Sequence, residues 1–99
     1  MRAKPEARIL VSKCYENACL GIIKRGPDID GAVSGRGCEA LCRDLEKRGY
    51  AGEVRFACGD CRCGYPLPPG RDCAWDLLVL AARLPLIIEG FKSWKAGKI

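Results

Sequence analysis

The chemistry in this sequence is concentrated in residues 53–73, EVRFACGDCRCGYPLPPGRDC, where four of the eight cysteines follow a short apolar run. The internal pattern is Cys58-x-x-Cys61-x-Cys63. A two-residue gap lets two thiolates turn back onto one metal ion or cluster, so this spacing between a strand and a turn reads as metal binding. The competing reading is a disulfide or a redox pair. No histidine occurs anywhere in the chain. A transition-metal site is therefore all-thiolate, or thiolate completed by a carboxylate or an outside ligand. That favours an iron–sulfur cluster or a four-cysteine zinc site over a hydrolytic zinc centre.

The elements that position these cysteines can be read in order. Residues 8–12, RILVS, form a short β-branched run bounded by charge and predict a buried strand, with Cys14 just past its end. Residues 15–37 carry five glycines and Pro27 and predict a long functional or mobile loop that holds Cys19, Asp28 and Asp30. A helix is expected over residues 38–48, stopped by Gly49, with Cys38, Leu41, Cys42 and Leu45 as one buried stripe. On that stripe Cys38 and Cys42 read as small core thiols. A second strand at residues 54–57 places Cys58 at its end. A Pro/Gly loop then leads to a helix over residues 73–84, with Asp72 as N-cap and Trp75, Leu78, Val79 and Ala82 on one side. Pro85 ends it, and residues 86–89, LIIE, read as a third strand.

The order strand-helix-strand-helix-strand predicts an α/β fold: a small three-stranded parallel sheet with helices packed on it, as one domain over residues 1–99 with flexible ends at 1–7 and 92–99. In such sheets the binding crevice lies beyond the carboxyl ends of the strands, where Cys14, Cys58 and Glu89 would converge. Cys14, Cys58 and Cys61 are thus the expected ligands of one site, with Cys63 or Cys19 as the fourth.

Composition narrows the setting. With 48% hydrophobic and 29% charged residues, the 99-residue chain has the balance of a globular protein. The only early apolar run, Ile9-Leu10-Val11, lies between charges and does not read as a secretory leader. The apolar region at residues 74–88 is broken by Asp76, Arg83 and Pro85, well short of the roughly 20 residues a membrane span needs. A cytoplasmic location follows as an expectation, and in a reducing cytosol eight cysteines argue for metal or thiol chemistry before disulfides. The chain also has no Gln or Thr, a single Asn and an excess of Arg over Lys. That resembles a hyperthermophile's composition, and such organisms do keep intracellular disulfides.

Three motifs resemble the thiouracil desulfidase-like [4Fe-4S] domain family. These are ILVSKCYENACLG at residues 9–21, Ile29-Asp30-Gly31 with Ser34, and Cys58-Gly59-Asp60 followed by Gly64-Tyr65-Pro66-x-Pro68. The resemblance implies a [4Fe-4S] cluster and removal of sulfur from a thiolated pyrimidine, with Cys58 in a ligand position and Asp60 where the family carries a catalytic glutamate. The family's third cluster cysteine has no counterpart in Gly90-Phe91-Lys92-Ser93-Trp94, so Cys61 or Cys63 would replace it. In such a site three thiolates leave one iron open to a thiocarbonyl sulfur, while Asp60 or Glu89 moves the proton.

Three function classes are consistent with these residues. One is an iron–sulfur enzyme or sulfur carrier acting on a thiolated small molecule or nucleotide. Another is a non-catalytic iron–sulfur electron carrier. The third is a zinc-stapled module that binds RNA or a protein assembly. The net charge of +5 suits an anionic partner such as a thionucleotide, and Lys92, Trp94, Lys95 and Lys98 form a Lys/aromatic strip suited to phosphates and a stacked base.

Overall fold

The computed structural model describes residues 7–69, 73–78 and 80–82. Within them the chain forms β1 (Arg8–Tyr15), β2 (Ala18–Arg25), β3 (Asp28–Arg36), α1 (Cys38–Lys47) and β4 (Val54–Gly59), followed by a helical segment at residues 74–78 and 80–82. β1, β2 and β3 are an antiparallel meander joined by two-residue turns, Glu16-Asn17 and Gly26-Pro27. The first residue of each turn has positive φ, 55° at Glu16 and 60° at Gly26, as tight hairpins need to match the twist of the flanking strands. α1 crosses one face of the sheet and β4 returns parallel to β1. The strand order is β3-β2-β1-β4.

This corrects the expected three-stranded parallel sheet with alternating helices. Among the described strands only β1 and β4 pair in parallel, and the sheet is mixed. The stretch expected as a loop, residues 15–37, supplies β2 and β3. Its glycines mark close approach as well as turns: a Cβ built on Gly35 would sit 2.5 Å from the Leu41 amide nitrogen and 2.6 Å from the Ala40 carbonyl carbon. The first turn of α1 therefore rests on the backbone of β3, which a larger side chain would prevent. The expected third strand at residues 86–89 lies outside the described residues.

Because the pleat alternates, β1 feeds two cores. Leu10 joins Ile23, Val33, Leu41, Leu45 and Ala57 beneath α1, whereas Ile9 and Val11 join Leu20, Cys58 and Leu80 beneath the second helical segment. α1 follows the expected stripe, with Leu41 and Leu45 buried. The second segment does not. Trp75 is 71% and Leu78 63% exposed, while Asp76 and Leu80 are buried.

Two tethers account for this rotation. Cys73, at its start, is bonded to Cys58 of β4, and Lys24 of β2 donates to the Asp76 carboxylate at 2.6 Å. A buried ion pair fixes orientation more than it stabilises, and breaking one takes a compensating charge away from a buried carboxylate. Lys24→Met should therefore destabilise the protein by about 2 kcal/mol in urea unfolding at neutral pH, somewhat below a fully buried case because Lys24 keeps some water. Adding Asp76→Leu should restore most of the loss. An unchanged single variant would remove the ion pair as the orienting contact.

Candidate metal centre

Parts of four elements converge at one end of the α1-covered face, and each contributes a cysteine. Cys14, near the end of β1, and Cys19, near the start of β2, are direct cross-strand partners with Cα atoms 4.0 Å apart. The Gly37 amide donates to the Asn17 carbonyl at 2.9 Å, which docks the start of α1 on the first hairpin and brings Cys38 beside them. Cys61 follows β4. The four sulfurs lie within 4.8 Å of one another and form a group that could hold a metal ion.

The position of Cys61 depends on Ser12, which is fully buried. Its hydroxyl accepts the Cys61 amide at 2.8 Å and donates to the Cys61 carbonyl at 2.8 Å. Gly59 has φ 109°, and a Cβ there would overlap the Ser12 carbonyl oxygen. The chain thus turns over the end of β1, so that Cys58 serves one core and Cys61 the other. Asp60 completes the turn. Its backbone amide donates to the Ser12 carbonyl at 3.2 Å, and its carboxylate accepts the Cys14 amide at 2.8 Å with Lys13 Nζ 3.8 Å away. The loop beyond is held by the Tyr65 hydroxyl, which donates to the Ala51 carbonyl at 2.6 Å; burial pushes this phenol's pKa up.

Ser12→Ala leaves the buried Cys61 amide without its acceptor. A stranded buried donor costs roughly 1–3 kcal/mol, so the variant should lose stability in that range while its far-ultraviolet circular dichroism stays native. A neutral result would show that the hydroxyl does not set the turn.

All eight cysteines are paired as disulfides: Cys14–Cys19, Cys38–Cys61, Cys42–Cys63 and Cys58–Cys73. The first two pairs face each other. Cys14 Sγ is 3.6 Å from Cys61 Sγ and 3.9 Å from Cys38 Sγ. The other two act as staples, one from α1 to the loop after β4 and one from β4 to the second helical segment.

Of the residues expected to form one site, Cys14, Cys19 and Cys61 meet there. Cys58 is on the opposite side of the sheet, bonded to Cys73, and Cys63 is bonded to Cys42. Asp60 borders the group, its carbonyl 3.5 Å from Cys38 Sγ. Cys38 belongs to the group although its place on the leucine stripe reads as core. The available signal was Gly37 beside it, a break that frees a helix's first residue to face a neighbouring loop. Glu89, Lys92, Trp94, Lys95 and Lys98 lie outside the described residues. No helix among the described residues is long and apolar enough to cross a membrane.

No family model matches the chain, and neither a curated protein nor a solved structure matches it.

Proposed function

We propose that this protein is a cysteine-ligated metal-binding module in which Cys14, Cys19, Cys38 and Cys61 hold a single ion. The observation that carries this reading is the convergence of four sulfurs from four parts of the chain to within 4.8 Å. Geometry favours one ion over a cluster. A tetrahedral thiolate site with metal–sulfur bonds of about 2.3 Å has sulfur–sulfur edges of about 3.8 Å. The separations from Cys14 to the other pair, 3.6 and 3.9 Å, are close to this, and reduction of Cys14–Cys19 and Cys38–Cys61 would let the bonded pairs open to it. A cubane cluster instead binds each thiolate to a different iron and spreads the sulfurs farther apart. Zinc is the first candidate and iron the second, since both accept four thiolates in this geometry.

Four protein ligands close the coordination sphere, as in structural sites, and leave no position for a substrate. The Asp60 carboxylate, accepting the Cys14 amide, acts here as a positioning group for a ligand strand. Desulfuration of a thiolated substrate, as the sequence resemblance implies, needs an open metal position. It would require one of the four cysteines to leave.

A second reading is a purely disulfide-stapled domain, favoured by the pairing of all eight cysteines. Protein isolated without air, alkylated before unfolding and analysed for zinc, iron and sulfide separates the two. The metal reading expects one ion per chain, no inorganic sulfide, and only Cys42–Cys63 and Cys58–Cys73 as disulfides. Four disulfides with no metal would establish the stapled domain; stoichiometric sulfide would return the cluster.

A further inference from the structure

We infer that the four-sulfur group is a peroxide-responsive switch that releases its metal ion when oxidised, an inference that rests on the single-ion reading above. The arrangement has two features that a purely structural site does not need. The same four sulfurs are already placed as two bonding pairs, Cys14 with Cys19 and Cys38 with Cys61. Each pair also combines one half-buried cysteine, Cys14 or Cys38, with one buried partner, Cys19 at 4% exposure or Cys61 at 1%.

That asymmetry suits two-step oxidation. A peroxide meets the reachable thiolate and oxidises it to a sulfenic acid, and the buried neighbour displaces hydroxide to close the disulfide before further oxidation. For the whole site, one ion bound by four thiolates, two hydrogen peroxide molecules and four protons give two disulfides, the free divalent ion and four water molecules. The four electrons leave the sulfurs and reduce both peroxides. Disulfide sulfurs no longer carry the thiolate charge that held the ion, so binding and oxidation exclude each other.

The fold can absorb the change with little motion. Cys14 and Cys19 are cross-strand partners, and Ser12 and Asp60 hold the turn that carries Cys61 through backbone hydrogen bonds rather than through sulfur. The staples Cys42–Cys63 and Cys58–Cys73 lie outside the group and persist in both states.

The test uses the full chain, loaded with zinc and freed of excess thiol without air. Hydrogen peroxide is titrated in while a chromophoric chelator reports free zinc, and disulfides are mapped by alkylation and peptide mass analysis. One zinc should appear for every two peroxides, with Cys14–Cys19 and Cys38–Cys61 as the new bonds, and dithiothreitol with zinc should restore zinc binding. A Cys42→Ser/Cys63→Ser variant should release zinc with the same stoichiometry. Zinc that stays bound through excess peroxide, or that leaves only as sulfinic and sulfonic acids accumulate, overturns the switch while leaving the metal site intact. Failure of the reduced chain to bind zinc at the outset removes the underlying reading, and the switch with it.

Discussion

Reduced protein supplied with zinc at a thousandfold excess over its dissociation constant should unfold with a free energy about 4 kcal/mol higher than the metal-free form. For a domain of this size that corresponds to a rise in melting temperature on the order of 20 °C. The increment arises because the four ligands meet only in the folded chain: β1 and β2 supply a cross-strand pair, α1 supplies its first residue, and the turn after β4 supplies Cys61. The unfolded chain has no comparable site, so binding free energy becomes folding free energy. Cys61→Ser or Cys19→Ser should abolish the zinc-dependent increment. Cys58→Ser should keep it and lose only the Cys58–Cys73 staple, whose 15-residue separation corresponds to about 3 kcal/mol under oxidising conditions. Acid should weaken the zinc effect steeply, because protons compete for each of four thiolates whose ordinary pKa is about 8.5. A zinc increment that survives Cys61→Ser would exclude these four residues as the site.

The contrast between Cys58 and Cys61 shows how much of the site local spacing encodes. A Cys-x-x-Cys pair suggests two ligands on one ion when both cysteines sit in a tight turn. Here Cys58 is still within β4, where period-two alternation commits it to the face away from α1, and only the turn at Gly59 and Asp60 moves Cys61 to the other face. The spacing correctly marks a place where the chain reverses. Which sulfurs then meet is decided by the parallel register of β1 with β4 and by the seating of α1, both long-range facts. Elements with strong local signals were legible for that reason: the leucine stripe and the glycine stop of α1, and the β-branched run of β1. β2 and β3 were not, because glycines that receive the helix look the same in sequence as glycines that end a strand. The second helical segment was placed correctly but rotated wrongly, since its apolar periodicity points to Trp75 and Leu78 while a disulfide and the Lys24–Asp76 pair turn a different side inward.

Gly59→Ala should be among the most damaging single substitutions in the chain, at more than about 3 kcal/mol, because two penalties fall on one residue. Its φ of 109° lies where side chains are rarely tolerated, and the new Cβ would overlap the Ser12 carbonyl oxygen. That oxygen cannot move aside freely, since it accepts the Asp60 amide and belongs to the fully buried residue whose hydroxyl grips Cys61. Gly49 provides the internal control. It has φ 83° at the end of α1, and a Cβ there meets nothing within 4 Å. Gly49→Ala should therefore show the backbone penalty alone, about 1 kcal/mol. The difference between the two variants in urea unfolding isolates the steric term, and it has a second readout at the metal site. If the Gly59 turn positions Cys61, conditions that keep Gly59→Ala folded should still show weakened zinc binding, whereas Gly49→Ala should bind as the unsubstituted protein does. Equal stabilities for the two variants would mean that the turn yields easily and that Cys61 reaches the other three sulfurs by another route.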